Sequence, residues 1–257
     1  MGAALGNGVS FVIGAALLIV FWLSNQLKVK YSSIFHFDIQ RVKAIFEVGL
    51  PAALEQVIFQ IGITAFLILV AFYGTEAYAA YGIGVQILSF SIVIGFGFSI
   101  AGATLVGQHL GAKDEEQAKR AGWGAMRLSI LSMTFFGILI VIFAEPLARY
   151  MIDNDEVVRL TVIFIWLLGS MQPLMAIEFS LGGALRGAGD TKTPLVITLT
   201  CLLFIRVFLA VIFFLLDARV EVIFSTLVAD YVVKGFLYVA RFRSDRWMNV
   251  LKAKEAD

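Results

Sequence analysis

The first candidates for chemistry in this sequence are ionisable side chains inside long apolar stretches. Glu55 is foremost, because it follows Lys43 by twelve residues, and about 18 Å of helical rise puts it near the middle of a membrane. Gln56, Gln60 and Thr64 follow at four-residue spacing, so a helix carries them as one polar stripe. Ionisable residues at that depth are costly and usually bind or move ions and substrates. We therefore expect Glu55 to hold a proton or a cation; a protonated glutamate hydrogen-bonded inside a bundle is the structural alternative.

Other charged side chains in apolar stretches need partners. Glu178 is as well suited to pair with Arg186 as to line a translocation pathway. Arg206 lies well inside a span and requires a counter-charge, for which the three carboxylates in the spans are candidates. Asp230 and Lys234 are four residues apart on one helix and can neutralise each other. We expect the last two pairings to be structural.

Composition assigns the chain to a membrane. Hydrophobic residues make up 60% and charged residues 15% of the 257 residues, and the mean hydropathy is +0.90. Soluble domains carry roughly 25% charged residues, and a soluble fold of this size has too little interior to hide so much apolar surface. The long runs are continuously apolar instead of alternating, which indicates helices and not barrel strands. The sequence therefore predicts an all-α, polytopic membrane helix bundle.

Composition also excludes several classes of function. A net charge of +1 supplies no basic field for nucleic acid. The one cysteine, Cys201, and the separated His36 and His109 give neither a disulfide framework nor a metal-ligand set. No Ser/His pair or carboxylate pair has catalytic spacing. We therefore expect a protein that is not an enzyme and that has no cofactor and no metal site.

About seven segments are long enough to span a membrane, which requires about 20 mostly apolar residues. The predicted spans are residues 3–24, 46–73, 78–107, 121–144, 157–183, 194–216 and 220–240. Pro51 and Pro173 lie within spans and are expected to bend them. The third span is rich in glycine, and we expect its glycines to pack against neighbouring helices. They are Gly82, Gly84, Gly95, Gly97 and Gly102.

Lysine and arginine are unequally divided between the two ends of these spans. The segments after the first, third, fifth and seventh spans carry most of them, which places those segments in the cytoplasm. The inner set is Lys28, Lys30, Arg41, Lys43, Lys113, Lys119, Arg120, Arg186, Lys192, Arg241, Arg243, Arg246, Lys252 and Lys254; the outer set is Arg149, Arg159 and Arg219. The pattern predicts a multi-pass protein of the inner or plasma membrane with its N-terminus outside and its C-terminus in the cytoplasm.

Two glycine-rich loops on the inner side, at 105–113 and 182–194, are the most distinctive motifs. Their key residues are Gly107, Gln108 and Gly111 in the first loop and Arg186, Gly187, Gly189 and Asp190 in the second. Glycine permits close backbone approach and left-handed helix ends. Arg186 can satisfy carbonyls at a helix C-terminus, and Asp190 or Thr191 can cap the next helix.

These loops resemble those of the MATE (multidrug and toxic compound extrusion) family, whose lobes carry an LVGQ-x-LGA loop and an LRGAGDT-x-x-P loop. The sequence GLPAAL at 49–54 is similar to that family's entry into the first helix of its second lobe. The resemblance covers nearly the whole chain in the right order, and the number of spans between the two loops also fits.

The resemblance implies a twelve-helix antiporter with two six-helix lobes, which expels cationic amphipathic drugs or metabolites in exchange for H+ or Na+. Its implied domains are 1–24, the last helix of a missing N-terminal lobe; 25–45, a cytoplasmic amphipathic linker; 46–241, the six-helix C-terminal lobe; and 242–257, a cytoplasmic tail. Its implied partners are the lipid bilayer, a small organic cation, and a complementary N-terminal lobe or a second copy. In a sodium-coupled branch an acidic residue occupies the position of Phe59, one turn beyond Glu55, so both coupling ions remain open.

Within that resemblance, we expect Glu55 to face the cavity between lobes and to release its proton or cation when a drug binds. The expected translocation residues are Glu55, Gln56, Gln60, Thr64, Glu178 and Arg206. Burial favours a neutral Glu55, which suits a proton-coupled step. One alternative is a lipid-linked oligosaccharide flippase of the same superfamily, whose cavity needs several cationic side chains for a pyrophosphate; only Arg206 and Lys234 lie in the spans. Another is an inactive or truncated membrane module.

Overall fold

The computed structural model describes residues 2–24 and 39–250, and the regular secondary structure in these two ranges is helical. The chain divides into two compact units, Met1–Lys43 and Ala44–Asp257. The high helix content agrees with the predicted all-α membrane bundle.

Two predicted segments extend beyond the described residues. The amphipathic linker expected at 25–45 lies outside them up to residue 38, and residues 39–45 form the first turns of a long helix. The cytoplasmic tail expected at 242–257 is described as far as residue 250.

The first unit contains the helix α1 (Gly2–Leu23). Its apolar part, Gly8–Leu23, is shorter than the other candidate spans. Large side chains along it are exposed, including Phe11 and Leu18. An exposed and continuously apolar helix is suited to a lipid environment.

The second unit is a bundle of helices that are joined mostly by short turns. Its helices are α2 (Ile39–Ala71), α3 (Thr75–Gly111), α4 (Glu115–Ile142), α5 (Ala144–Met151), α6 (Asp155–Ser170), α7 (Gln172–Gly187), α8 (Lys192–Thr200), a π-helix (Cys201–Val207), α9 (Phe208–Leu215), α10 (Val220–Arg243) and a short 3₁₀ helix (Arg246–Met248).

Five helical stretches among the described residues are long and apolar enough to cross a membrane. They are Ile45–Ala71, Thr75–Gly111, Glu115–Ile142, Lys192–Leu215 and Val220–Arg243. The pair α6 and α7 forms a sixth span that is bent by 53°. These five or six spans agree with the predicted polytopic helix bundle, and the first predicted span is the shorter apolar helix α1. The stretch between the fourth and fifth predicted spans, for which no secondary structure was predicted, contains the short helix α5.

The bend in the sixth span occurs at Met171, between the end of α6 and the start of α7. Pro173 lies in the first turn of α7, where a missing backbone N–H is tolerated, but its ring prevents α6 from continuing through this point. Gln172 is buried against Gly137 of α4, where an added Cβ would lie 2.6 Å from its side chain. The bend expected from Pro173 is therefore present and closely packed.

The helices α3 and α7 touch through their backbones. A Cβ added to Gly183 would lie 2.1 Å from the carbonyl oxygen of Ser99, and one added to Gly187 would lie 2.1 Å from that of Ala103. Both pairs are spaced by one helical turn, so small residues on each helix form a continuous seam. The seam fixes the position of Arg186, which lies on α7 between the two glycines.

A cluster of aromatic rings fills the core between α2, α3, α6 and α10. Tyr81 lies 5.8 Å from Phe66 and 5.2 Å from Phe164, and Phe164 lies 5.1 Å from Phe224, measured between ring centroids. The ring of Phe164 packs directly on Gly84, where an added Cβ would lie 2.2 Å from it. This core holds the helices on which the polar residues described below are mounted.

Candidate functional site

An ion pair between Glu55 and Arg186 connects α2 to α7. The Nη1 atom of Arg186 donates to both carboxylate oxygens, at 3.0 and 3.2 Å, and its Nη2 atom donates to the hydroxyl of Ser99 at 3.2 Å. The hydroxyl of Thr198 donates to Glu55 at 3.4 Å. Glu55 is 6% exposed. The buried carboxylate of Glu55 therefore bonds to side chains of α7 and α8, and Arg186 extends the network to α3 through Ser99.

The direction of the Arg186 side chain follows from helix geometry. Side chains on a helix lean toward its N-terminus, so an arginine near the end of α7 reaches back along it. Its guanidinium lies beside Gly182, one turn earlier, where an added Cβ would be 3.5 Å from Nη2. The expectation that Arg186 satisfies carbonyls at the end of the helix is wrong, because the guanidinium points away from that end.

A second group of charges is buried between α7, the π-helix and α10. Lys234 Nζ lies 3.3 Å from Glu178 and 3.3 Å from Asp230, and Asp230 also pairs with Arg206. The predicted pairing of Asp230 with Lys234 is therefore confirmed, and Asp230 is the partner that Arg206 required. Glu178 does not pair with Arg186, because two helical turns separate them and Glu55 occupies the guanidinium.

Aromatic faces surround this second group of charges. The guanidinium of Arg206 lies 5.4 Å from the ring centroid of Tyr231, and Lys234 Nζ lies 5.6 Å from the same ring and 5.9 Å from that of Phe59. Arg206 is carried by the π-helix, a local widening that is often found at functional sites. Charge pairing together with aromatic contacts makes burial of two cations tolerable.

A cavity of about 190 Å³ opens between α2, α3, α7, α8 and α10, where both groups of charges meet it. Aromatic and aliphatic side chains supply most of its wall. Its polar lining consists of Glu55, Gln56, Glu178, Arg186, Thr198, Tyr231 and Tyr238. Within residues 2–24 and 39–250, no three His, Cys, Asp or Glu side chains come together as a metal site.

The expected translocation residues divide into three groups. Glu55, Gln56 and Glu178 line the cavity. Arg206 is buried behind it, against Asp230. Gln60 and Thr64 continue the polar stripe on an exposed face of α2, where the hydroxyl of Thr64 donates to the backbone carbonyl of Gln60, and neither is part of the cavity lining.

Sequence reasoning did not identify several residues of the cavity. Ser99 and Thr198 contact the ion pair, but isolated hydroxyl residues in apolar helices have no distinguishing sequence signal. Tyr238 and Tyr231 also line the cavity; Tyr238 follows Lys234 by one turn on the face of α10 that carries the charged pair. The position of Tyr231 directly after Asp230 was a usable signal in the sequence, because an aromatic residue beside a charge in the membrane can hold a cation.

The second motif loop ends α7 and anchors it to α10. Gly189 has a φ of +79°. The backbone N–H of Gly189 donates to the carbonyl of Arg186 at 3.0 Å, and that of Asp190 donates to the carbonyl of Leu185 at 2.9 Å. This is the Schellman pattern of a helix end. The carboxylate of Asp190 pairs with Arg241 at 2.6 Å.

The same carboxylate of Asp190 accepts from the N–H of Thr193 at 3.3 Å, so Asp190 provides the expected cap of α8. In the first loop, Gly107 packs against the carbonyl of Gly187, while Gln108 and Gly111 are exposed. The two motif loops therefore meet at one end of the bundle.

A polytopic bundle with paired charges around a cavity is typical of membrane transport proteins, and comparison with known proteins identifies the family. The family model MatE matches residues 51–212. The Probable multidrug resistance protein NorM of Thermotoga maritima is 33% identical over 214 residues, covering 80% of this chain and 44% of that protein. The Uncharacterized transporter YisQ of Bacillus subtilis is 22% identical over 249 residues, covering 96% of this chain and 55% of that protein. The chain belongs to the MatE family.

Solved structures agree on the fold. A crystal structure of the Vibrio cholerae MATE transporter VcmN matches with a TM-score of 0.80 at 20% identity, over 96% of this chain and 57% of that one. Another crystal structure of a MATE protein matches with a TM-score of 0.79 at 19% identity, over 94% and 54%. The chain spans about half the length of the relatives it matches. It is a multi-pass membrane protein with the fold of these transporters.

Proposed function

We propose that this chain forms the C-terminal lobe of an ion-coupled efflux transporter for amphipathic compounds that carry a cationic group. The observation that carries the proposal is the cavity between membrane-spanning helices in which Glu55 and Glu178 lie among aromatic rings. Carboxylates and aromatic faces are the two features that hold organic cations in an apolar site. The family relationship to multidrug resistance proteins supports the same assignment.

The ion pair suggests how drug and coupling ion exchange at one carboxylate. Arg186 contacts both oxygens of Glu55, so a proton or Na+ gains access to Glu55 only after the guanidinium moves away. Antiport requires that drug and ion favour different arrangements of the same site. In our proposal the drug displaces Arg186, and Glu55 then takes up or releases the ion.

The remaining parts of the proposal concern the intact transporter. Helix α1 is assigned as the last helix of the preceding lobe, residues 46–241 as the C-terminal lobe, and 242–257 as a cytoplasmic tail. The lobe needs a complementary N-terminal lobe, or a second copy of the chain, to complete the pathway. The excess of Lys and Arg at the ends of α3, α7 and α10 supports a cytoplasmic location for these ends and an outer location for the N-terminus.

The flippase alternative receives less support from the cavity. A pyrophosphate needs several cationic side chains that are free to bind it. Among the described residues that line the cavity, Arg186 is the one with a positive charge, and it is paired with Glu55. An inactive module remains the outcome if no export is found.

Export of ethidium from cells tests the proposal. The chain is fused behind the helices of the Thermotoga maritima relative that precede its equivalent of α1, and intracellular ethidium fluorescence is followed over time. The fusion should lower ethidium accumulation, and Glu55→Gln should return it to that of cells without the transporter. Glu145→Gln is the matched control, because Glu145 pairs with Arg149 on the exposed helix α5, and it should export at the parent rate.

Export at the parent rate by Glu55→Gln contradicts the proposal, because it removes Glu55 from the mechanism. Robust ion-coupled uptake by the chain alone in liposomes decides for assembly with a second copy and against the need for a complementary N-terminal lobe.

A further inference from the structure

Arg127 of α4 is a charged residue at membrane depth that has no partner of opposite charge among the described residues. It lies within the apolar part of the helix, and its side chain is exposed. The ionisable groups around the cavity, by contrast, all form ion pairs; they are Glu55, Glu178, Arg186, Arg206, Asp230 and Lys234. An unpaired charge in a membrane is costly, so Arg127 requires an anion from outside the described part of the chain.

The depth of Arg127 is measured from the end of the bundle where the two motif loops meet, here called the motif-loop end. The hydroxyl of Ser129 donates to the carbonyl of Ala176 at 3.4 Å, and α7 continues from Ala176 to Gly187 at that end. These eleven residues rise about 16 Å, and Arg127 is two residues nearer to the end than Ser129. Counted along α4 from Glu115, the rise to Arg127 is about 18 Å. Its backbone therefore lies about 13–18 Å inside the bundle.

The side chain of Arg127 is directed away from the bundle and toward the motif-loop end. Ala125 and Ser129 are buried against neighbouring helices, and Arg127 is two residues from each, which places it on the opposite face of α4. No described residue of α4 lines the cavity, so this face is also turned away from the cavity. Side chains lean toward the start of their helix, so the guanidinium covers the preceding turn, which contains Trp123 and Gly124.

The turn below the guanidinium has room for a phospholipid headgroup. An added Cβ at Gly124 would meet no atom within 4 Å, so the absent side chain leaves a gap on this face. Trp123 packs edge-on against Phe242, and tryptophan is enriched at the level of lipid headgroups. One turn nearer to the motif-loop end, the charge of Arg120 is balanced by Glu116. The gap at Gly124 is therefore bordered by one uncompensated positive charge.

We propose that α4 binds the phosphate of an anionic phospholipid in the leaflet at the motif-loop end. The guanidinium of Arg127 pairs with the phosphodiester, which suits the planar, bidentate geometry of arginine. Gly124 provides the space for the headgroup. Toward the middle of the membrane the same face carries the exposed side chains of Leu131 and Ile138, which the acyl chains cover. The site is separate from the cavity and does not depend on the proposed efflux function.

Lipid binding to the purified full chain tests this proposal. Native mass spectrometry from mixed micelles gives the apparent Kd of the first bound lipid for phosphatidylglycerol and for phosphatidylcholine with the same acyl chains. Phosphatidylglycerol should bind about tenfold more tightly, because its net negative charge compensates Arg127, whereas the choline group already neutralises the phosphate of the other lipid. Inorganic phosphate should not displace the lipid, because it has no acyl chains to cover the apolar part of α4.

Variants on this face of α4 should change the affinity for phosphatidylglycerol. Arg127→Gln should weaken binding about tenfold, since a charge-assisted hydrogen bond is lost while no ion pair within the described chain is broken. Arg127→Lys should retain most of the affinity. Gly124→Leu fills the gap without a change of charge and should weaken binding to a similar degree.

Gly97→Leu and Arg243→Gln are the matched controls. Gly97 lies on α3 and also meets no atom within 4 Å, and Arg243 is exposed at the end of α10. Both control variants should bind phosphatidylglycerol as the parent does, because neither change lies on the face of α4 that carries Arg127.

Three results would overturn the lipid site. The first is an unchanged affinity in Arg127→Gln, or a loss equal to that in Arg243→Gln, which a general attraction by surface charge produces. The second is displacement of phosphatidylglycerol by inorganic phosphate, which would indicate a site for the free ion. The third is loss of lipid binding in the fusion with the Thermotoga maritima helices, which would show that the complementary lobe covers this face. None of these measurements uses ethidium export, so the efflux function is tested separately.

Discussion

Replacing Gly183 by alanine should force α3 away from α7. The added Cβ would lie 2.1 Å from the carbonyl oxygen of Ser99 and 2.7 Å from its Cα, and neither backbone atom can rotate away as a side chain can. Contacts of this type are not found below about 3.0 Å, so the helices must separate by about 1 Å. Overpacking costs up to about 3 kcal/mol, and alanine returns about 1 kcal/mol through its higher helix propensity. We expect a net loss of about 2 kcal/mol.

Gly97→Ala provides a matched control on the same helix pair. Gly97 lies on α3 with no atom within 4 Å of its added Cβ, so alanine there should be neutral or stabilising by up to about 1 kcal/mol. Unfolding of the purified chain is followed in mixed micelles by titration with sodium dodecyl sulfate, with circular dichroism as the signal. The two alanine variants should therefore differ by about 3 kcal/mol in the free energy of unfolding.

Gly183→Ala should also disturb the cavity between α2, α3, α7, α8 and α10. Ser99, whose backbone opposes Gly183, also accepts the hydrogen bond from Arg186, so a shift of α3 disturbs the ion pair with Glu55. Gly183→Ala should therefore slow ethidium export by the fused transporter, and Gly97→Ala should not. Equal stabilities of the two variants, within about 0.5 kcal/mol, would refute the backbone contact between α3 and α7.

Two further predictions concern the cytoplasmic end of the bundle and the orientation of the chain. Asp190→Asn removes the charge of a buried partner of Arg241 and should lower the free energy of unfolding by about 2 kcal/mol. Arg241→Gln removes the same ion pair, so the two losses should not add in the double variant. Additive losses would contradict the pairing. A membrane-impermeant maleimide should label Asp153→Cys in intact cells and Lys113→Cys only after permeabilisation. The native Cys201 is buried and should give no background labelling. The reverse pattern would contradict the proposed orientation.

Local signals in the sequence were sufficient for the membrane class, the helices and the family. Hydropathy is summed over neighbouring residues, so the spans were predictable to within a few residues, and the bend was predictable from Pro173. The helix α5 was not predicted, because a short amphipathic helix outside the apolar runs has little sequence signal of its own. Gly84, Gly95 and Gly102 contact neighbouring helices as expected, whereas Gly82 and Gly97 meet nothing, and the sequence does not distinguish the two groups.

The partners of the buried charges were decided by the tertiary structure. Pairs within one helix, such as Asp230 with Lys234, follow from spacing alone. Glu55 and Arg186 are 131 positions apart, and their contact depends on how α2 and α7 are rotated and shifted relative to each other. The position of α7 is set by backbone contact with α3 along the glycine seam and by the bend at Met171, while α2 packs closely on the π-helix where Gly62 meets Leu202.

The sequence by itself therefore determined which residues carry charge into the membrane and which loops mark the family. Only the packed bundle decided that Arg186 faces Glu55, that Lys234 pairs with Glu178, and that Glu55, Glu178 and Arg186 line one cavity. The physical reason is that hydropathy and helix spacing act along the chain, while exposure and ion pairing act between helices brought together by folding.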